Sequence, residues 1–265
     1  MSLRKYVAAL AVAGAAAAAV IVTTTVPAFA IAHGEDAPEG AYPFVAVLSM
    51  PKIVRADGTE YSSACSGALI APKWVVTAGH CAHDGDRTRV SGPPRYPITV
   101  TLGRDTLSGS GGTTVEVVDI VQHPGVDVAL AELAKPVESI EPLAIRTERP
   151  ESGDAVRLAG WGSADGVADL THRPDQLQTA EFVVTRVTDA ELFIEATGPH
   201  LLTSACAFDS GAPFFTQVDG EPELVATEIS GPTCPHSSEE TTARADVLTD
   251  WISEHVAGTS APAED

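Results

Sequence analysis

A histidine, an aspartate and a serine follow one another in three short segments: residues 77–81 (TAGHC), 127–130 (DVAL) and 209–213 (DSGAP). A serine hydroxyl is a poor nucleophile at neutral pH, so hydrolysis by serine needs a base to take its proton and an acid to orient that base. His80, Asp127 and Ser210 carry the side chains for those roles. Singly, each segment is a modest signal, because Asp-Ser-Gly is a common turn and a histidine beside a cysteine is more often structural. Their conjunction in this order, with cysteines near two of them, favours the chemical reading. Asp119 is a second acid that could orient the histidine, but it lacks the DVAL context.

Most of the chain that must position these groups reads as short runs of Val, Ile, Thr and aromatic residues broken by Gly, Pro, Asp and Ser. Strands are predicted at 44–49, 64–70, 74–77, 98–103, 113–121, 128–133, 155–159, 178–187, 212–216 and 223–230. Such regular punctuation predicts an all-β sandwich or barrel. One helix is expected at the end, with Val247, Leu248, Trp251, Ile252 and Val256 on one face and Asp246 as its cap. A polar connector over 133–143 suggests a boundary near residue 140. Residues 55–62, 84–96 and 163–175 read as surface loops, and 258–265 as a disordered acidic tail.

Residues 1–30 combine Arg4 and Lys5, an alanine-rich apolar run and the small-residue site Ala28-Phe29-Ala30, the pattern of a secretory signal cleaved after Ala30. The expected product is exported, with no membrane segment once the signal is cut. A formal net charge of -20 argues against nucleic acid or anionic lipid as partner. Four cysteines in an exported chain imply two disulfides, with three pairings open. No C-x-x-C or H-E-x-x-H pattern is present, and the acidic residues are too dispersed to name a calcium site, so neither metal nor cofactor is expected.

Six segments, 31–34 (IAHG), 66–81 (SGALIAPKWVVTAGHC), 127–133 (DVALAEL), 160–162 (GWG), 206–213 (CAFDSGAP) and 250–252 (DWI), give the chain its likeness to a known family. Over nearly all of residues 31–256 it resembles the trypsin/chymotrypsin family of serine peptidases. The resemblance implies two antiparallel six-stranded β-barrels, 31–140 and 141–257 with the terminal helix, and a catalytic cleft between them. It implies Ser210 as nucleophile, His80 as base and Asp127 as orienting acid, with the backbone N–H groups of Phe208 and Ser210 holding the oxyanion. It pairs Cys65 with Cys81 and Cys206 with Cys234. It also implies that a free ammonium on Ile31 inserts and pairs with Asp209; because Ile31 directly follows the signal, no separate zymogen step is expected.

By the same resemblance Ser204 lies at the base of the specificity pocket and Ser230 and Gly231 on its opposing wall. A serine there favours cleavage after apolar or aromatic residues; Glu239 or Glu240 could reach the pocket and restore a preference for basic ones, or be solvated loop charges. Implied partners are protein or peptide substrates and protein inhibitors, and the implied state is a monomer. Four departures stand out. Phe208 and Ala212 replace glycines of the family's Gly-Asp-Ser-Gly-Gly-Pro, and His33 replaces another. The family's third disulfide has no cysteines here, leaving 190–198 to packing. Phe208 is the one sign of a rival reading, a catalytically weak homologue that binds proteins through the same cleft; an esterase on this scaffold is a third. Amino-terminal sequencing of exported protein is expected to begin at Ile31, and any other first residue contradicts the single-cut reading.

Overall fold

Alternation of buried apolar and exposed polar residues, as in residues 113–117 (TTVEV) with Val115 and Val117 inward, builds the strands of two closed barrels. The structure is a computed structural model that describes residues 31–256. The expected signal over 1–30 and the expected tail over 258–265 lie outside the described residues. After a two-residue strand β1 (Glu35–Asp36), the first barrel uses β2 (Val45–Val54), β3 (Glu60–Ala71), β4 (Trp74–Ala78), β5 (Thr99–Leu102), β6 (Thr113–Gln122) and β7 (Val128–Leu133). They close antiparallel in the order β2-β3-β4-β7-β6-β5. Leu48, Leu69, Leu102, Ile120, Leu130 and Leu133 fill the interior.

After a short β8 (Ala144–Ile145), the second barrel uses β9 (Ala155–Gly160), β10 (Gln178–Val187), β11 (Glu191–Gly198), β12 (Pro213–Val218), β13 (Glu221–Ser230) and β14 (Glu240–Arg244). β9 pairs with both β10 and β12, which closes the ring. Phe182 and Phe214 meet edge to face at 5.1 Å in its core, where Ile31 is also buried. The helix α1 (Thr249–Val256) lays Trp251 edge-on against His123 of the first barrel, with ring centroids 4.9 Å apart. The chain's end thus fastens the two barrels to each other.

Four strands go beyond the sequence reading: the two-residue β1 and β8, and the longer β11 and β14. β11 forms a ladder with β10 and β14, so residues 191–198 are held by backbone hydrogen bonds as well as by packing. β14 carries Glu240, Thr242 and Arg244 inward, a polar interior face that hides the usual strand pattern. The helix also differs. Residues 246–248 form a 3₁₀ turn, whose three residues per turn rotate Val247 outward to 45 % exposure. Asp246 is not a cap; its carboxylate takes the guanidinium of buried Arg244. Phe182→Ala should destabilise the fold by about 3–5 kcal/mol in denaturant unfolding, as for other fully buried rings; a loss below about 1 kcal/mol would contradict the packing described.

Candidate active site

The ladder between β4 and β7 pairs Ala78 with Val128, and this register sets the residues that follow and precede them side by side. β4 runs directly into a 3₁₀ turn, Gly79–Ala82, that carries His80. Asp127 grips that turn three times: its carbonyl accepts the Gly79 N–H at 3.0 Å, Oδ1 accepts the His80 N–H at 2.8 Å, and Oδ2 accepts His80 Nδ1 at 2.7 Å. An ionised carboxylate only accepts, so Nδ1 carries the proton and Nε2 is left as the basic nitrogen. Burial pushes the Asp127 carboxyl up, but the His80 hydrogen bond, the charge of His80 and its backbone N–H outweigh that and hold the group below the ordinary carboxylate range. Asp119 stands opposite Glu132 in the β6–β7 ladder and, among the described residues, makes no hydrogen bond to His80.

Ser210 sits on a loop knotted by local bonds. Cys206 is joined to Cys234, the Asp209 N–H donates to the Cys206 carbonyl, and the Ala212 N–H donates to the Asp209 carbonyl. The loop is also stitched to the first barrel, where Ser66 on β3 donates its N–H to the Ser210 carbonyl at 2.9 Å and its hydroxyl to the Phe208 carbonyl at 3.2 Å. Gly211 adopts φ +86°, and a Cβ there would strike Ser66 O and Thr77 Oγ1, so only glycine brings the loop this close. The Cys65–Cys81 disulfide ties β3 to the histidine turn. His80 and Ser210 line one cleft of ≈ 350 Å³ with Phe208 and Ala207. Among the described residues His80 Nε2 and Ser210 Oγ are not hydrogen-bonded; in free enzymes such bonds are often long and tighten on the reacting complex.

Phe208 has φ 78°, the left-handed region that a ring-bearing residue occupies only under constraint, at a cost on the order of 1–3 kcal/mol. The constraint is visible. The Ala207 carbonyl accepts the Ser163 N–H at 2.6 Å, and across a trans peptide this turns the Phe208 N–H away from Ser163. Among the described residues, neither the Phe208 nor the Ser210 N–H donates to a protein acceptor. The Arg173 guanidinium lies 5.7 Å from the centre of the Phe208 ring.

Asp209 is fully buried, at 0 % exposure. Its Oδ1 accepts the Gly162 N–H at 2.8 Å and Oδ2 the Cys206 N–H at 3.0 Å, yet burial still pushes it up to about 8. Ile31 is buried, and its neighbour Ala32 bridges Ser204 on the segment leading to Asp209. Cys65, His80 and Cys81 are the one metal-like cluster among the described residues, but the two sulfurs are bonded to each other and cannot ligate.

Beside Ser210 opens a second concavity of ≈ 380 Å³ lined by Ala205, Ala207, Glu228, Ser230, Gly231 and Cys234, among others. Ser230 and Gly231 are on its wall, whereas Ser204 stands behind it with its hydroxyl accepting the His236 N–H. Glu239 is a surface group that takes Thr185 and Arg186. Glu240 is buried, its carboxyl against the wall residue Gly231. Glu228, its buried companion, was missed from the sequence, although an acid inside the apolar strand 224–229 (LVATEI) is the signal that could have found it.

Residues 31–252 match the family model for trypsin. The chain is similar to glandular kallikrein of Sus scrofa, at 26 % identity over 58 % of this chain and 71 % of that one. It is also similar to phenoloxidase-activating factor 3 of Holotrichia diomphalia, at 28 % identity over 71 % of this chain and 60 % of that one. Trypsin of Saccharopolyspora erythraea is 29 % identical over 77 % of this chain and 85 % of its own length. If the Ser163 bond rather than the ring aims the amide, Phe208→Gly should keep kcat/KM on peptides with a small residue after the scissile bond and raise it for bulky ones. A fall on the order of 10²–10³, the loss of one oxyanion donor, would show instead that the ring holds the amide.

Proposed function

The chain belongs to the trypsin family, and on that premise we propose that it is a secreted serine endopeptidase working through an acyl-enzyme. Ser210 Oγ attacks the scissile carbonyl while His80 Nε2 takes its proton; Asp127 holds the imidazole and balances its charge. The carbonyl oxygen, now anionic, is held by the N–H groups of Phe208 and Ser210. His80 then protonates the leaving amine, and water repeats the sequence to release the acid. The observation that carries this reading is the bidentate hold of Asp127 on His80, which frees Nε2 in the cleft that Ser210 also lines.

Signal cleavage after Ala30 is proposed to free the Ile31 ammonium for Asp209, a carboxyl that burial leaves in need of a cation. Among the described residues no helix is long and apolar enough to cross a membrane, which fits export of the product. Protein substrates and protein inhibitors are the proposed partners, and the proposed state is a monomer. While Glu228 and Glu240 are protonated the pocket is neutral and suits apolar or aromatic residues before the scissile bond. The rival, a weak homologue that only binds proteins, has the strained Phe208 in its favour. Against it stands the Ser163 N–H bond to the Ala207 carbonyl, which turns the Phe208 N–H away from Ser163.

A fluorophosphonate probe should label the mature protein, and Ser210→Ala should remove both labelling and peptide hydrolysis. Asp127→Asn should lower kcat by about 10⁴ with the cleft intact. Pure, folded protein that never labels would favour the binding module.

A further inference from the structure

Asp127 stands in a tight reversal of the chain. β6 ends at Gln122 and β7 begins at Val128, so residues 123–127 alone make the turn. Within it the Val126 carbonyl accepts the Val128 N–H at 2.9 Å, a three-residue turn with Asp127 at its centre. His123 braces the same loop, its Nδ1 accepting the N–H groups of Gly125 at 3.1 Å and Val126 at 2.9 Å. The direction in which the Asp127 carboxylate leaves this turn decides whether it meets His80.

A group from another loop reaches in to set that direction. Residues 84–96 run along the end of β6, where Gly92 and Ile120 bridge each other and Ser91 Oγ accepts the Gln122 N–H at 3.1 Å. This course delivers Arg89 to the turn. Its Nη2 donates to the His123 carbonyl and, at 2.9 Å, to the Val126 carbonyl, and its Nε donates to Gln122 Oε1 at 3.3 Å. The Val126 carbonyl lies in the peptide plane from which Asp127 starts, so a donor fixed on it fixes that plane. Gln122 carries the hold onward, because its Nε2 donates to the Gly79 carbonyl at 2.8 Å, in the peptide plane from which His80 starts. Gly79 is wedged between the two groups: a Cβ there would lie 2.7 Å from both Gln122 Oε1 and Asp127 Oδ1. Burial pushes His123 toward its neutral form and the charge of Arg89 adds to this, which keeps Nδ1 able to accept the turn's N–H groups.

We propose that Arg89, acting through Gln122, is the positioning residue of the His80–Asp127 pair: its guanidinium holds the peptide before Asp127, and through the Gln122 amide the peptide before His80, at the separation that brings Nδ1 onto Oδ2. Neither side chain touches the reacting atoms. A planar fork of donors can serve several acceptors at fixed angles, whereas a lysine ammonium is a single point with rotating donors, so arginine is required. Arg89 is an exposed residue, and its bonds therefore add little to global stability; their effect is on where two turns stand. The effect on turnover rests on the endopeptidase reading, while the effect on the His80–Asp127 hydrogen bond does not.

The test compares Arg89→Ala, Arg89→Lys and Gln122→Met with the parent mature chain by peptide hydrolysis, fluorophosphonate labelling, thermal unfolding and the proton NMR resonance of His80 Nδ1–H. Arg89→Ala should lower kcat by on the order of 10², the cost of a misplaced catalytic group, with KM nearly unchanged and labelling slowed in step. Arg89→Lys should recover only part of the loss. Guanidinium ion at sub-denaturing concentration should restore part of the kcat of Arg89→Ala and none of that of Gln122→Met. The Nδ1 proton should give a sharp resonance in the parent and one broadened by exchange with water in Arg89→Ala and Gln122→Met, while the unfolding temperature moves little. If Arg89→Ala does not fold, Gln122→Met, which leaves the arginine on its two carbonyls, decides the question. Parental kcat and a sharp Nδ1 resonance in the folded variants overturn the proposal, as does a loss of kcat that guanidinium does not restore and that follows the loss of thermal stability. A parent that never labels or hydrolyses overturns the endopeptidase reading instead, and the Nδ1 resonance still decides the positioning.

Discussion

The carboxyl of Asp209 is the constraint around which the second barrel's working parts are arranged. It is fully buried and, among the described residues, fixed by two backbone N–H groups, those of Gly162 and Cys206. Both belong to segments that build the site. The first precedes Ser163, whose N–H sets the direction of the Ala207–Phe208 peptide. The second opens the loop that carries Ser210. Burial raises the Asp209 carboxyl to about 8, so an ionised Asp209 needs an added positive charge before the loop around it is stable near neutral pH. In the proposed mechanism that charge is the Ile31 ammonium, so the assembly of the oxyanion amides is coupled to how the chain begins.

Asp127, half-buried, and Asp209, fully buried, are two aspartates with opposite electrostatics. Burial acts upward on both, yet Asp127 ends below the ordinary carboxylate range because His80 supplies a donor, a charge and a backbone N–H at once. Asp209 has dipoles but no full charge at hydrogen-bond distance among the described residues. The first aspartate is thus complete within the first barrel, and the second awaits a partner. Ser66 joins the two halves, since its N–H and hydroxyl reach across from β3 to the Ser210 and Phe208 carbonyls. Ser66 is therefore as much a part of the site's geometry as the groups proposed to react.

Strands 128–133 and 178–187 could be read from the sequence, the first as an apolar run buried at five of its six positions and the second as an alternation that turns Phe182 and Val184 to a core. β14 could not. Its inward side chains are Glu240, Thr242 and Arg244, and their burial depends on partners from distant parts of the chain: Ala205, Leu192 and Thr188. Glu228 was legible only as an acid inside an apolar strand, since it is the closed barrel that places it beside Glu240. Ser204 shows the converse. Spacing from Ser210 put it at the pocket base, yet its hydroxyl accepts the His236 N–H and it is not among the residues that line the concavity beside Ser210. The juxtaposition of His80 with Asp127 was legible in outline from motif order, whereas the 2.7 Å contact comes from the β4–β7 register.

The central claim, that the nucleophile loop is completed by a charge at the chain's start, is tested most directly by comparing the chain beginning at Ile31 with one that retains Ala30. Peptide hydrolysis and thermal unfolding would be followed for both between pH 6 and 10. The account predicts that the retained residue lowers kcat/KM by on the order of 10² or more, the equivalent of losing a buried ion pair, while both chains stay folded. It also predicts that the Ile31 chain loses activity at alkaline pH as its ammonium deprotonates. Equal activity of the two chains at every pH would contradict it.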